Sequence, residues 1–192
     1  MSQTLKNLAK AFVGESQARN RYTFYAKVAK KEAYEKINEI FLLTADNEKE
    51  HAKWLMRMIN QLTKNSGETI TIPEAPVPTV LGDTVANLKS AIAGETYETE
   101  TMYPGFADVA EQEGYSDIAK RLRAIAKAEA HHKQRYEKIL KEVENNSFFK
   151  KEEKVYWVCR ECGYIHEGIE PPEVCPSCGH PKAYFELQNE EY

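Results

Sequence analysis

The chain has 192 residues, a net charge of −4 and 29% charged residues. That length suits one bundle-sized unit with a small appendage rather than two large domains. No apolar run approaches membrane length, and an acidic balance with scattered lysines offers no basic stripe, so neither a bilayer nor a nucleic acid is an expected partner.

Apolar residues recur at steps of three and four, which predicts helices over about 4–30, 35–64, 80–113 and 116–144. The first stripe reads Leu8, Ala11, Glu15, Ala18, Tyr22, Tyr25, Ala29. The turn near 31–34 lacks Gly and Pro and rests on the change of register alone. The second stripe reads Ile37, Phe41, Thr44, Glu48, His51, Leu55, Met58, Leu62, so an acid and a histidine fall where their neighbours are apolar.

Asn65 to Thr79, with prolines 73, 76 and 78, is too long for a tight hairpin. About 14 extended residues reach roughly 45 Å and a helix of about 25 residues spans roughly 38 Å, so this linker can run the length of a bundle. The third stripe reads Leu88, Ala91, Glu95, Glu98, Met102, Val109, which turns Glu98 inward opposite the small Ala18 of the first half. Pro104 lies inside that pattern and predicts a kink or local break just past Glu98. Gly114 suits the end of the third helix, and Ser116 suits an N-cap for the fourth. The fourth stripe is Ile118, Leu122, Ile125, Glu129, His132, Tyr136, Ile139, Val143.

The two halves repeat. Asn7, Leu8, Ala11, Gly14 and Glu15 match Asn87, Leu88, Ala91, Gly94 and Glu95, 80 residues on, and Glu48/His51 match Glu129/His132, 81 residues on. A lone Glu-x-x-His is more often a solvated helix face than a ligand pair. Two of them, both on core stripes and both at matched places of a repeat, point to a duplicated metal site. His131 is a useful contrast, because it has no carboxylate three or four residues back and is expected to face solvent.

Burying four or five carboxylates costs several kcal/mol each without a positive partner, and no Lys or Arg lies on the stripes. Two divalent cations balance four carboxylates, and oxygen with imidazole suits iron or manganese better than a structural zinc. One Glu from each of two helices plus Glu-x-x-His from each of the other two is the ligand pattern of ferritin-like di-iron bundles. Tyr22 and Tyr103 are either buried aromatics that fill the core or phenols that hydrogen-bond ligand carboxylates.

Asn145 to Lys154 reads as a polar hinge, after which all four cysteines fall in Cys159-x-x-Cys162-Gly and Cys175-x-x-Cys178-Gly, with twelve residues between the pairs. They make one tetrathiolate site of two knuckles, each glycine serving a backbone position of positive φ. Disulfides are the weaker alternative, and a zinc ribbon stays open on spacing alone. So short a segment needs the metal for much of its folding energy, and thiolates point to a reducing cytoplasm. The hinge starts far from mid-bundle, so the module either folds back or reaches a neighbouring subunit. The expected organisation is a bundle over 1–146, a hinge over 147–154 and a cysteine module over 155–192.

These motifs together resemble the rubrerythrin family over nearly the whole chain. Gly-Glu15-Ser-Gln-Ala-Arg-Asn-Arg-Tyr22, Glu48-Lys-Glu-His51, Gly-Glu95-Thr-Tyr-Glu98 with Met102-Tyr103-Pro104, Glu129-Ala-His-His132 and the two knuckles with Tyr164 carry the match. The resemblance implies an all-α, ferritin-like four-helix bundle with a long crossover and a small C-terminal rubredoxin-like metal-knuckle domain. Glu15, Glu48, His51, Glu95, Glu98, Glu129 and His132 are then the di-iron ligands, and Cys159, Cys162, Cys175 and Cys178 hold one mononuclear iron. Glu98 and His51 become alternative ligands on oxidation and reduction, with Tyr22 and Tyr103 beside them in the catalytic group; Glu98 as a base behind the ligands or a bridging counter-charge is the alternative. The implied activity is a non-haem iron peroxidase that reduces hydrogen peroxide, fed by an NAD(P)H-dependent rubredoxin reductase or a rubredoxin, in a homodimer or higher homo-oligomer. A ferroxidase or iron-storage protein of the ferritin class is the alternative; it leaves the attached electron-transfer module without a purpose. A zinc-ribbon adaptor on a structural bundle leaves the buried carboxylates without one.

Overall fold

The computed structural model describes residues 1–72 and 75–189; Pro73, one of the linker prolines, lies outside them. Helix α1 spans Gln3–Lys31 and α2 spans Glu35–Leu62. The third helix comprises α3 (Thr84–Tyr97), a π-helical turn (Glu98–Met102) and α4 (Tyr103–Gln112), and α5 spans Ser116–Glu144. The strands β1 (Val155–Cys159), β2 (Ile165–Gly168) and β3 (Phe185–Leu187) form an antiparallel sheet in the order β2-β1-β3. The chain is thus a ferritin-like bundle of four helices followed by a small strand region. Among the described residues no helix is long and apolar enough to cross a membrane.

Helix α1 packs on α2, and α3–α4 packs on α5. The inward stripes of α1, α2 and α5 are buried or half-buried as their periodicity predicts, and His131 is exposed. On α4 the buried positions are Tyr103, Ala107 and Ala110, and Val109 is only half-buried. The π turn is the cause. A π turn adds one residue to a helix, and every inward position after it moves by one. Pro104 follows directly, where its missing N–H is easily accommodated.

Two apolar clusters fill the bundle. One gathers Leu5, Leu8, Leu55, Met58, Tyr103, Ala107 and Leu122, and the other gathers Tyr22, Tyr25, Phe41, Leu88, Ala91 and Tyr136. Between them lies the layer of carboxylates and imidazoles described below, so apolar packing holds it from both ends.

Caps tie the two halves together. The Glu113 carboxylate, at the end of α4, accepts from the Gln3 and Thr4 amides at 2.9 and 2.8 Å. Its counterpart in the repeat, Glu32 at the end of α1, accepts from the Thr84 amide at 3.0 Å. A carboxylate from each half therefore sits at the positive helix end of the other.

Local chemistry moves two expected boundaries and one expected cap. The third helix starts at Thr84 rather than 80, because Asp83 Oδ1 accepts from the Ala86 amide at 2.8 Å and the Asn87 side chain clamps both backbone groups of Gly82 at 2.9 Å. Helix α2 stops at Leu62, where Lys64 and Asn65 take left-handed φ values of 53° and 56°. Ser116 does not cap α5. The N-cap is Tyr115 without a side-chain bond, and Ser116 Oγ donates to Glu111 Oε1 at 2.7 Å. The 32–34 turn uses Ala33 at φ 64°, stabilised by the bond from the Tyr34 amide to the Ala29 carbonyl at 2.9 Å.

The linker runs back along α1. Ile70 and Ile72 pack on the first apolar cluster, and the Tyr25 hydroxyl donates to the Val80 carbonyl at 2.9 Å near the opposite end. The strand module sits at the α1–α2 end of its own bundle. Phe149 stacks on Tyr34 with centroids 6.0 Å apart, Lys36 Nζ pairs with Glu186 at 2.9 Å, and Arg160, within the first knuckle, pairs with Glu39 at 2.9 Å.

Candidate metal centres

Each of the four long helices turns one acid inward at the same level, and α2 and α5 add a histidine three residues on, so six ligand-type side chains meet in one layer. Two groups result: Glu15, Glu48, His51 and Glu129, and Glu48, Glu95, Glu129 and His132, each with ligand atoms within 4.8 Å of one another. Glu48 and Glu129 belong to both. His51 Nδ1 lies 2.9 Å from Glu48 Oε2 and 2.8 Å from Glu129 Oε1. His132 Nδ1 lies 2.8 Å from Glu129 Oε2, 3.3 Å from Glu48 Oε1 and 3.6 Å from Glu95 Oε2. Two acids thus stand between two histidines, with Glu15 on one side and Glu95 on the other.

The phenols cross between halves. Tyr22 donates to Glu95 Oε1 at 2.6 Å, and Tyr103 donates to Glu15 Oε1. Tyr22 comes seven residues after Glu15, and Tyr103 comes eight after Glu95. The π turn absorbs the extra residue, so both hydroxyls reach matched places. Glu98 opens that turn and is buried at 8% exposure, with no acidic counterpart in α1, where Ala18 stands at the same step. It is not in either four-residue group, although it is close enough to Glu95, Glu129 and Glu48 for their charges to act on it.

Electrostatics show what the layer lacks. Burial pushes the Glu15 and Glu98 carboxyls well above the usual range, with neighbouring carboxylates adding to it. Burial also raises Glu95 to about 7. It opposes charge on His51 and His132, yet contacts with Glu129 and Glu48 outweigh it and push them to about 9 and about 12. Glu48 goes the other way, because the two histidines overcome its burial and hold it low. Without a cation the layer must hold protons. Even so, Glu15 Oε2, Glu48 Oε1, Glu95 Oε2, both Glu129 oxygens and His132 Nδ1 are buried without a hydrogen-bond partner. Short distances without hydrogen-bond geometry mean that these lone pairs converge on shared points rather than on one another. Four carboxylates and two imidazoles so arranged fit two divalent cations.

Sequence reasoning missed three neighbours, because each comes from a different helix or from off the stripe. Asn47 Oδ1 lies 3.2 Å from His132 Nε2, where it can orient the ring. Arg135 donates to Thr44 Oγ1 at 2.6 Å. Arg21 lowers the cost of charge on Glu98. His51 is the more open histidine, with 14% of its side chain exposed against 4% for His132.

The second centre is in the strand module. Sγ of Cys159 lies 3.7 Å from that of Cys178, Sγ of Cys162 lies 3.7 Å from that of Cys175, and all four fall in one group. The Gly163 and Gly179 amides donate to the carbonyls of Cys159 and Cys175 at 2.8 and 2.9 Å, with φ of 75° and 77°. This is the knuckle geometry that glycine permits. The Tyr164 amide pulls the Cys162 thiol down to about 6. Although the His180 amide donates to Cys178, burial and the neighbouring sulfurs push that thiol up to about 12. A metal ion held by this quartet would take all four sulfurs as thiolates. Buried Trp157 and Phe185 pack beneath it, and Trp157 Nε1 donates to the Gly168 carbonyl at 3.0 Å.

The family model described as Rubrerythrin matches residues 6–140, and that described as Rubrerythrin, rubredoxin-like domain, matches 157–186. The chain is similar to Rubrerythrin-1 of Clostridium acetobutylicum, at 49% identity over 100% of this chain and 97% of the relative. It is also similar to the rubrerythrin of Nitratidesulfovibrio vulgaris, at 44% identity over 97% and 94%. Among solved structures, nigerythrin in a mixed-valence state superposes with a TM-score of 0.66 at 32% identity, covering 98% of this chain and 88% of the other. The two centres are therefore a carboxylate–histidine pair of the di-iron type and a four-cysteine knuckle of the rubredoxin type.

The protonation pattern gives a sign for pH dependence. Glu15, Glu95, Glu98, His51 and His132 all have raised values, so these groups of the metal-free layer bind more protons than in the unfolded chain, and the stability they contribute falls as pH rises. Within the layer Glu48 works in the opposite sense, losing its contribution on acidification. Melting of the full chain under chelator should therefore occur at lower temperature as pH climbs from the carboxylate value of 4.5 through about 7 and on to about 9. With metal bound the trend should reverse, since the ligands must lose their protons. A metal-free protein that grows more stable across this range contradicts the assignment.

Proposed function

The chain belongs to the rubrerythrin family, and we propose on that premise that it is a peroxidase: it reduces hydrogen peroxide to water at the paired site, with electrons relayed through the cysteine module. The observation that carries this reading is the sharing of Glu48 and Glu129 by two matched ligand groups, which sets two metals side by side. When bound, an iron pair supplies two adjacent one-electron changes, so that peroxide takes two electrons and two protons and leaves as two waters. A single iron would release a hydroxyl radical.

The chain's own groups have defined parts in this reading. Glu15, Glu48, His51, Glu95, Glu98, Glu129 and His132 are the ligand set. Tyr22 and Tyr103 hold Glu95 and Glu15 by donated bonds, fixing one oxygen of each and leaving the other to face the layer. Glu98 and His51 supply the asymmetry: a carboxylate suits ferric iron and an imidazole suits ferrous iron. The apolar layers above and below exclude water. Cys159, Cys162, Cys175 and Cys178 hold a single iron, reduced by an NAD(P)H-dependent rubredoxin reductase or a rubredoxin in the cytoplasm. In this organisation residues 1–146 are the di-iron bundle, 147–154 the hinge and 155–192 the electron-transfer module.

Stopped-flow mixing of the fully reduced, iron-loaded protein with hydrogen peroxide and with dioxygen tests the activity. Oxidation by peroxide should be faster by at least about tenfold, a barrier difference of about 1.4 kcal/mol. Comparable rates would favour the ferroxidase reading.

The donor to each pair is the module of another subunit in a head-to-tail homodimer. The module's ion pairs with α2 of its own bundle are at Lys36 and Glu39, and Glu48 is about 14 Å further along α2 at 1.5 Å per residue. That docking keeps it at the bundle end, where a partner's mid-bundle can meet it. Co-expressed heterodimers of Cys159→Ser/Cys162→Ser and His51→Ala/Glu129→Ala chains, each inactive alone, should recover reductase-driven turnover. Dead heterodimers whose undamaged centres are loaded would require transfer within one chain.

A further inference from the structure

A cavity of about 360 Å³ lies between α1, the third helix and the linker, on the Glu98 side of the metal layer. Its walls are largely apolar, with Tyr97, Met102 and Pro76 among them, while Arg21 and Glu98 bring polar groups to it. The matched glycines of the repeat, Gly14 and Gly94, both line it. Neither is required by close packing. A Cβ on Gly14 would meet nothing within 4 Å, and one on Gly94 would meet only Arg21 Nη2 at 3.7 Å. Glycine within a helix is less stable than alanine, so what these two positions provide is open space. Arg21 adds a second signal: its Nε is buried without a hydrogen-bond partner.

Hydrogen peroxide has no apolar part and needs no such walls. A volume of this size suits a small organic ligand with an apolar body and one polar end. We propose that the cavity holds the hydrocarbon part of an organic hydroperoxide, with its oxygens towards Arg21 and Glu98. The inference rests on the peroxidase reading and extends its substrate class. In the reaction ROOH + 2 e⁻ + 2 H⁺ → ROH + H₂O, the O–O bond breaks. One oxygen leaves with the alkyl group as alcohol and the other leaves as water. The electrons come from the reduced iron pair and the protons from solvent. Gly14 and Gly94 make room for R, and the Arg21 guanidinium hydrogen-bonds the oxygens.

Two measurements on the full-length, iron-loaded protein test this. Calorimetric titration of the oxidised protein with cumyl alcohol, the product of cumene hydroperoxide, should show one site per chain, absent in Gly14→Leu. In turnover, the ratio of kcat/KM for cumene hydroperoxide to that for hydrogen peroxide should fall at least about tenfold in Gly14→Leu, a loss of about 1.4 kcal/mol in discrimination. Ala93→Leu, on the opposite wall, should lower the same ratio should Gly14→Leu load iron poorly. An equal loss with both peroxides would make the cavity a common entry path and overturn the proposal. So would hydrogen peroxide turnover without alcohol binding, which leaves the peroxidase reading intact. A wild-type protein inert to every peroxide would sink both.

Discussion

The interior of this bundle has to hold Glu15, Glu48, Glu95 and Glu129, all at 1% exposure or less, with two imidazoles between two apolar clusters. Carboxylates in such a place repel one another and have lost their water, and few arrangements of protein atoms alone offset that. The layer carries the mark of this conflict. Glu15 and Glu95 are pushed towards protonation, the histidines towards charge, and many of the ligand atoms have no partner. A pair of divalent cations resolves all three at once, and the rest of the structure serves to keep their ligands in position.

Duplication supplies that positioning. Each half contributes one lone Glu, one Glu-x-x-His, one phenol directed at the other half's lone Glu, and one terminal carboxylate that caps the other half's first helix. Interactions that cross between halves are what make two hairpins into a single site. The π turn breaks the symmetry. It places Glu98 where the other half has Ala18, and it opens the third helix beside the cavity under the linker. The two candidate metal positions are therefore alike in their ligands and unlike in their surroundings.

Most of the layer was legible because helical periodicity is local: a residue's place on a stripe follows from its neighbours three and four steps away. The cysteine knuckles were legible for a related reason, since a Cys-x-x-Cys-Gly turn closes within itself. Contacts set by another element were not. Asn47 beside His132 and Arg21 beside Glu98 lie off the stripes, and only the packed bundle brings them in. Val80 and Leu81 read as helix until Asp83 and Asn87 are seen to cap and clamp the chain there. The π turn lay between these cases. The repeat offset is 80 at Glu15/Glu95 and 81 at Glu48/Glu129, so one half has gained a residue, and Tyr22/Tyr103 at 81 confine the insertion to the stretch between Glu95 and Tyr103. Pro104 pointed to the same place for a different physical reason.

The central claim is that two metals, not protons, hold the buried acids together. Anomalous diffraction at the iron absorption edge, on crystals of the iron-loaded protein, tests it most directly. Two peaks should lie between Glu48 and Glu129, one flanked by Glu15 and His51 and the other by Glu95 and His132, with a third among the four cysteines. A bundle with no peak, its carboxylates paired through shared protons, would contradict the account.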